Sequence, residues 1–238
     1  MSGKKFVNYA HRGASEYCPE NTFLSFYTGM YMGANGIETD VWLTADGVPV
    51  LFHDDSLARV CGVEGGIPDY TFEELQKILV VKGNLSDKIP SLEDFLAHFA
   101  HRDITFAIEL KGPNTEIPTA DLVRKYGIEN KTVVTSFKLD YIKKTKEYAP
   151  ELSVGYLTQN IDETIENELL NIGAAEICPI GKEITAEKVE KWHKLGFNVR
   201  AWGISNEEIM KNVYDAGADG MTVNFPDLLT KYIAQNNN

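Results

Sequence analysis

The chain has 238 residues, of which 43% are hydrophobic and 24% are charged, and its low-complexity sequence is confined to the terminal Asn236-Asn237-Asn238. This composition is typical of an ordered globular protein and excludes extensive disorder. The formal net charge of -12 excludes a general nucleic-acid or acidic-membrane binder, because such partners need a basic face. An anionic small substrate remains compatible with a local positive pocket.

The cysteines and the amino-terminal segment bear on the compartment. Cys18, Cys61 and Cys178 lack metal-binding spacing, and an odd number of cysteines fits no complete disulfide framework. The segment Met1 to Val7 has no apolar signal core, and no run of about 18 apolar residues predicts a membrane-spanning helix. We therefore expect a cytoplasmic protein without stable membrane insertion, exported only if a signal peptide preceded this sequence. A homo-oligomer is compatible with the sequence but is not indicated by it.

Strand-like runs alternate with amphipathic helical patterns along almost the whole chain. The first helical pattern places apolar side chains at i, i+3, i+4 and i+7 over residues 23–30. Ser91, Asn160, Ser205 and Thr71 each have an acidic residue three positions later, which predicts helix starts. The eight strand candidates are Phe6–Ala10, Gly36–Leu43, Thr105–Leu110, Thr132–Ser136, Leu152–Leu157, Glu176–Pro179, Asn198–Trp202 and Gly220–Val223.

This alternation predicts an α/β protein built as a closed (β/α)8 TIM barrel, with an open doubly wound sheet as the alternative. No Gly-x-Gly-x-x-Gly motif follows the first strand. The stretch from Asp54 to Pro90 is too long for an ordinary loop between a strand and its helix. We expect one barrel domain over residues 1–238, with a small insertion subdomain at about 54–90, after the second strand.

Polar side chains concentrate at the ends of the predicted strands, where a barrel builds its active site. The residues at these ends are His11, Arg12, Glu38, Asp40, Glu109, Lys111, Ser136, Phe137, Tyr156 and Trp202. We expect Trp202, Phe137 and Tyr156 either to stack on a substrate or to pack at the rim.

Three carboxylates predict a metal site. Glu38 and Asp40 are two residues apart and share one face of the second strand, and the neighbouring strand brings Glu109 beside them. Like charges this close need a cation or protons. Oxygen ligands select a hard divalent cation, Mg2+ or Ca2+. The alternative is that Glu38 and Asp40 form a solvated strand edge.

A second histidine is placed by hairpin register. Asp46-Gly47 is typical of a two-residue type I′ turn, so the chain should run back along the second strand and pair Asp40 with His53. His53 would then lie beside the proposed metal site. A longer turn would shift this pairing, and His53 could instead be a hairpin histidine bonded to Asp54 or Asp55.

The positive groups indicate an anionic substrate. Arg12 offers a planar fork for phosphate or carboxylate oxygens, and Lys111 offers a point charge, although either could simply pair with the carboxylates. Together with a cation, and with His11 and His53 to move protons, they point to phosphoryl transfer or phosphate ester hydrolysis. By spacing alone, residues 19–22 could merely open the first helix.

Five motifs in order resemble one known family. The sequence reads "HRG", "PENT", "ETDV", "DGVPVLFHDDSLAR" and "IELK" over residues 10–111, and the barrel pattern extends the similarity toward the carboxyl terminus. In this order the motifs resemble those of the glycerophosphodiester phosphodiesterases.

The resemblance implies metal-dependent hydrolysis of glycerophosphodiesters to glycerol 3-phosphate and an alcohol. It implies Glu38, Asp40 and Glu109 as ligands of one divalent cation, Mg2+ or Ca2+, and His11 and His53 as the catalytic acid and base. It further implies that Arg12 and Lys111 bind phosphate and that Glu20 and Asn21 support these groups. From its position at a strand end, we also expect Trp202 to lie at the substrate.

The sequence departs from the family's usual pattern at the last two strands. Trp202-Gly203-Ile204-Ser205 stands where tryptophan-threonine-valine-asparagine is usual, and Val223-Asn224 stands where threonine-aspartate is common. These changes bear on substrate choice more than on catalysis. The alternatives are a related barrel phosphodiesterase acting on lysophospholipids or sphingolipids, and a non-catalytic metal- or ligand-binding barrel.

Overall fold

The computed structural model describes residues 6–236, so most of the segment that bears on a signal sequence, and Asn237 and Asn238, lie outside the described residues. The strands are β1 Val7–His11, β2 Gly36–Leu43, β3 Pro49–Leu51, β4 Leu79–Lys82, β5 Leu85–Lys88, β6 Thr105–Leu110, β7 Thr132–Ser136, β8 Ser153–Thr158, β9 Glu176–Pro179, β10 Asn198–Ile204 and β11 Gly220–Val223. The α-helices are α1 Phe23–Tyr31, α2 Ala58–Cys61, α3 Phe72–Leu75, α4 Leu92–Phe99, α5 Glu116–Lys125, α6 Leu139–Tyr148, α7 Glu163–Ile172, α8 Ala186–Lys194, α9 Glu207–Asp215 and α10 Pro226–Asn236.

Eight parallel strands of residues 6–236 close into a barrel. They are β1, β2 and β6 to β11, and closure follows because β1 pairs with β11 on one side and with β2 on the other. Ile37 and Val41 of β2 pack in one apolar cluster with Phe26 of α1 and Phe95 of α4. The side chains on the opposite face of β2, which include Glu38 and Asp40, therefore face the barrel interior. The predicted (β/α)8 barrel is confirmed, and the open doubly wound sheet is excluded.

The predicted helix starts divide into two that are observed and two that are wrong. Ser91 and Thr71 cap α4 and α3, each accepting a hydrogen bond from the backbone N–H three residues later. The starts at Asn160 and Ser205 are wrong, because Asp162 caps α7 and Asn206 caps α9. Asp162 and Asn206 are themselves strong N-cap residues, and the acidic residues that follow each candidate fit more than one frame.

The hairpin between β2 and β3 has a different register from the predicted one. Val41 pairs with Leu51, and the carbonyl of Asp40 accepts a hydrogen bond from the N–H of Phe52, not from His53. The turn holds three residues rather than two, since the N–H of Gly47 bonds to the carbonyl of Thr44, and Gly47 adopts φ 81°. This is a type I turn followed by a left-handed glycine, a common longer alternative for the same Asp-Gly signal.

The segment between β3 and α4 lies beside the carboxyl-terminal mouth of the barrel. It contains α2, α3 and the antiparallel β4–β5 pair, which cover an apolar cluster that includes Leu57, Leu75 and Val80. Lys82 donates to the carbonyl of Ser15, 2.6 Å away, in the loop after β1.

Among the described residues, no helix is long and apolar enough to cross a membrane.

Candidate active site

Three buried carboxylates meet at the mouth of the barrel. Glu38 and Asp40 lie two residues apart on β2, and Glu109 of β6 is the direct neighbour of Asp40 in the sheet. One oxygen from each carboxylate lies within 4.8 Å of the others. The Oδ1 atom of Asp40 is buried without a hydrogen-bond partner. A cluster of acceptor oxygens with an unsatisfied member suits a hard cation, so these residues fit a divalent metal.

The charge state of the cluster reflects this crowding. Burial raises the pKa of Glu38 well above its usual value, and the charges of Asp40 and Glu109 raise it further. Burial, followed by the charge of Asp40, raises the pKa of Glu109 to about 7. The cluster therefore carries more negative charge than its surroundings offset, and a proton or a cation must compensate.

Two basic side chains lie against Asp40. The Nε atom of Arg12 lies 3.3 Å from Oδ2 of Asp40, and Nζ of Lys111 lies 3.6 Å from its Oδ1 and 2.9 Å from Oε1 of Glu109. Although burial alone would raise the pKa of Asp40, Arg12 and Lys111 hold it below its usual value. Asp40 thus remains ionised while its two carboxylate neighbours resist ionisation.

The loop after β1 presents Arg12 in a strained conformation. Arg12 and Asn21 have φ values of 54° and 55°, in the left-handed region that few non-glycine residues adopt. The N–H of Arg12 is close to both the carbonyl and the carboxylate of Glu38, at 2.9 and 3.1 Å, and the carbonyl of Arg12 accepts from Asn21 and Ser25. Such over-determined strain is concentrated at functional sites in proteins.

His11 is fixed by an amide. Its Nδ1 lies 2.5 Å from Oδ1 of Asn224, which also accepts a hydrogen bond from the hydroxyl of Ser15 at 3.1 Å. Because an amide oxygen can only accept, the proton sits on Nδ1 of His11. The free Nε2 lies 3.9 Å from Oε2 of Glu38. Burial, and then the charge of Arg12, lowers the pKa of His11 to about 3, so the ring is neutral at pH 7.

His53 also reaches the cavity, despite the different hairpin register. Its Nδ1 lies 2.6 Å from Oδ1 of Asp54. Burial lowers the pKa of His53, while the charge of Asp40 opposes that shift. The alternative hydrogen bond to Asp54 is thus present, and it coexists with a position at the candidate site.

Glu20 and Asn21 support the site from outside the cavity. Glu20 accepts from Arg12 at 2.9 Å. Asn21 donates to Oδ2 of Asp40 at 2.9 Å and accepts from the hydroxyl of Thr39 at 2.7 Å, and it is 1% exposed. Glu20 and Asn21 therefore hold Arg12 and Asp40 in place, while Thr22 caps α1.

These groups share one cavity of about 340 Å³, a size suited to a small organic substrate. His11, Arg12, Glu38, His53 and Glu109 line its polar side. Its apolar side includes Leu157, Phe137 and Trp202, and the last two rings pack edge to face with centroids 4.8 Å apart. Asp40 and Lys111 lie directly behind the polar side, and Tyr156 packs between the strands and helices instead.

Three residues near the site were given no role there by the sequence analysis. Asn224 directly follows β11, and that position was the available signal for a side chain at the mouth. Arg200 lines the cavity floor two residues before Trp202 on the same face of β10. Arg59 of α2 bonds both Glu20 and Asp54, and no spacing rule indicates that contact.

Comparison with known proteins agrees with this geometry. The sequence profile described as the Glycerophosphoryl diester phosphodiesterase family matches residues 11–228. A glycerophosphodiester phosphodiesterase of Caldanaerobacter subterraneus subsp. tengcongensis is 31% identical over 238 residues, which cover 96% of this chain and 98% of that protein.

Solved structures give the same result. The crystal structure of a glycerophosphodiester phosphodiesterase from Parabacteroides distasonis matches with a TM-score of 0.82 at 26% identity and 99% coverage of both chains. A phosphodiesterase from Oleispira antarctica, solved in complex with the product sn-glycerol-3-phosphate, has a TM-score of 0.84, covers 95% of this chain and 96% of its own, and at 23% identity supports the fold alone. Since the profile spans nearly the whole chain, the protein belongs to the glycerophosphoryl diester phosphodiesterase family of enzymes.

Proposed function

We propose that this chain hydrolyses glycerophosphodiesters to sn-glycerol 3-phosphate and an alcohol by metal-dependent acid–base catalysis. The observation that carries the proposal is the convergence of two carboxylates, two histidines and Arg12 on one cavity, with Asp40 and Lys111 directly behind it. The glycerophosphodiester phosphodiesterase of Caldanaerobacter, 31% identical over 96% of this chain, supports the choice of substrate class.

Glu38, Asp40 and Glu109 would hold one Mg2+ or Ca2+ ion, since Oδ1 of Asp40 accepts no hydrogen bond and the cluster has surplus negative charge. When bound, the ion supplies Lewis acidity and offsets charge on the phosphate oxygens. Oxygen ligands are the preferred ligands of both ions.

Arg12 and Lys111 orient the phosphate. Arg12 lines the cavity and is held on its far side by Glu20, so its planar fork is directed before substrate arrives. Lys111 adds a second positive charge beside Glu109. Both groups offset the negative charge that develops on the phosphorus oxygens during displacement.

The two histidines divide the proton transfers according to their partners. The Nε2 atom of His11 is unprotonated because Asn224 fixes the proton on Nδ1, so His11 can accept the proton of the attacking oxygen. Burial lowers the pKa of His53, but the charge of Asp40 and the hydrogen bond to Asp54 oppose that shift and help the ring to hold a proton, so we assign to His53 the protonation of the leaving alkoxide. An alcohol is a poor leaving group without that proton.

The apolar side of the cavity would receive the carbon skeleton of the substrate. Trp202 and Phe137 form a fixed pair of rings there, and the indole N–H of Trp202 is close to the carbonyl of Thr158, at 3.4 Å. Trp202 would therefore pack against substrate rather than donate to it. As part of the same proposal, residues 1–238 act as a single barrel domain, with the insertion at about 54–90 bordering the mouth.

A panel assay tests the proposal. Glycerophosphocholine, glycerophosphoethanolamine, glycerophosphoglycerol and glycerophosphoinositol are incubated with the protein in Mg2+ or Ca2+, and glycerol 3-phosphate is measured. We expect release with at least one substrate, its loss in EDTA, and its loss in the His11→Ala and His53→Ala variants. Cation binding without any product would contradict hydrolysis and favour a non-catalytic barrel, and release only from lysophospholipids would contradict the substrate class.

A further inference from the structure

We propose that Arg59 is a positioning residue that aligns both the acid–base histidine His53 and the phosphate-binding Arg12, an inference that rests on the proposed function. Arg59 belongs to α2, outside the barrel, and does not line the cavity. It lies between two carboxylates, Asp54 and Glu20, and each of these holds one side chain of the cavity.

One end of Arg59 fixes Asp54. The Nε atom of Arg59 donates to Oδ2 of Asp54 at 2.6 Å, and one terminal nitrogen donates to Oδ1 at 3.0 Å. The same Oδ1 lies 2.6 Å from Nδ1 of His53. Both oxygens of Asp54 are held by the guanidinium, so the plane of this carboxylate is fixed. Asp54 in turn fixes the orientation of the His53 ring, which lines the cavity.

The other end of Arg59 fixes Glu20. The two terminal nitrogens donate to the two oxygens of Glu20 at 2.9 and 2.7 Å. Oε1 of Glu20 also accepts from Nη1 of Arg12 at 2.9 Å. Arg12 and Arg59 therefore share one carboxylate oxygen, and the position of one guanidinium constrains the other. Arg12 and His53, which belong to different segments of the chain, thereby become parts of one hydrogen-bonded network.

The geometry needs the fork of arginine rather than a positive charge alone. Four hydrogen bonds leave three nitrogens of one planar group and reach two carboxylates, which the single nitrogen of lysine cannot reproduce. Arg124 provides the contrast, because it forms a comparable surface ion pair with Glu151 at 2.6 Å, far from the cavity. An exposed pair of that kind contributes little to stability.

Steady-state kinetics with inorganic phosphate as the inhibitor test the proposal. Arg59→Gln should lower kcat and weaken phosphate inhibition, each by roughly 10- to 100-fold, as misplacement of catalytic groups does. Arg59→Lys should recover only part of either loss. Arg124→Gln is the matched control and should leave both quantities at the wild-type value.

Single-arm variants separate the two connections. Asp54→Asn should lower kcat more than phosphate affinity, and Glu20→Gln should lower phosphate affinity more than kcat. When either substitution is combined with Arg59→Gln, the fold-loss of the double variant should be smaller than the product of the two single fold-losses, because the two residues belong to one network of contacts. These arms also test the proposal if Arg59→Gln itself fails to fold, as shown by its melting curve.

The outcomes are distinct. An active wild type whose Arg59→Gln variant matches Arg124→Gln in kcat and phosphate inhibition would overturn the positioning role. Full recovery in Arg59→Lys would also overturn it, since charge alone would then suffice. A wild type that is inactive on every glycerophosphodiester with cation present would refute the proposed function and, with it, this inference.

Discussion

Two buried clusters of charge lie within one barrel and differ in how their charges balance. At the mouth, Glu38, Asp40 and Glu109 lie near Arg12 and Lys111. Deeper in the barrel, Glu176 of β9 pairs with Arg200 of β10 at 3.0 Å, and Arg200 also donates to the hydroxyl of Thr222 at 2.9 Å. The carboxylates of both clusters and the guanidinium of Arg200 are buried, whereas the side chains of Arg12 and Lys111 are each 15% exposed.

The difference teaches which buried charges are structural and which await a ligand. The deep pair contains one carboxylate, one guanidinium and their hydrogen bonds, so nothing more is needed to offset it. The cluster at the mouth has three carboxylates, an oxygen of Asp40 that accepts no hydrogen bond, and a pKa of about 7 at Glu109. Surplus charge beside a cavity is the signature of a site that is completed by another molecule.

Neutralising one carboxylate at the mouth should have the largest effect. We expect Glu38→Gln to lower turnover by about 10³-fold, the upper range for loss of one electrostatic contact in an active site. The free energy of unfolding, measured by denaturant in EDTA at pH 8, should not fall, because the substitution relieves repulsion with Asp40 and Glu109. A strongly destabilised variant would mean that Glu38 is structural.

The same substitution in the deep pair should do the reverse. Glu176→Gln leaves the guanidinium of Arg200 buried without its ionised partner, so we expect a loss of about 3–5 kcal/mol in the free energy of unfolding. Turnover per folded molecule should fall far less than in Glu38→Gln. Chemical denaturation measures the free energy of unfolding, and the glycerol 3-phosphate assay measures turnover. A stable but inactive Glu176→Gln variant would contradict the structural role of the deep pair.

The pH dependence of stability separates the clusters without mutation. Glu109 has a raised pKa of about 7 against a usual 4.5, so the folded state holds a proton that the unfolded state releases. In EDTA, stability from this group should be fully present below about pH 4.5 and should be lost as the pH rises through about 7, by roughly 3 kcal/mol at most. Glu109→Gln should make this slope smaller without removing it, because the pKa of Glu38 is raised as well, and wild-type stability that is flat between pH 5 and 8, measured by urea titration, would contradict the prediction.

A smaller effect is expected at Asn224, where the eighth barrel strand meets the first. Asn224→Ala removes the acceptor that fixes Nδ1–H of His11, so both tautomers become available. We expect turnover to fall by about 10- to 100-fold with little change in KM, since the residue orients a catalytic group without binding substrate. Steady-state kinetics measure this split, and a change confined to KM would argue for direct contact with substrate.

Much of this architecture could be predicted from the sequence because it depends on short-range rules. The bounds of β2 and β6 follow from short strand-like runs, rich in apolar residues, with turn residues at their ends, and parallel neighbours then bring Asp40 beside Glu109. The hairpin register could not be fixed, because Asp46-Gly47 serves both two-residue and three-residue turns, and each gives a different partner for Asp40.

The supporting contacts were harder to predict for a different reason. Arg59 and Glu20 are 39 residues apart in sequence, and His11 and Asn224 are 213 apart, so only closure of the barrel and packing of the insertion bring them together. Local periodicity contains no information about such pairs. The residue types that carry the chemistry were therefore recognisable, while the residues that orient them needed the fold.

Melting temperature as a function of Mg2+ or Ca2+ concentration tests most directly whether the surplus carboxylates at the mouth bind the cation. A ligand that binds only the folded state raises stability with the logarithm of its concentration. Wild type and Glu176→Gln should both show this rise, each from its own starting temperature, and Glu38→Gln should show little or none. A wild-type melting temperature that does not respond to either ion, or an equal response in Glu38→Gln, would contradict a cation site at Glu38, Asp40 and Glu109.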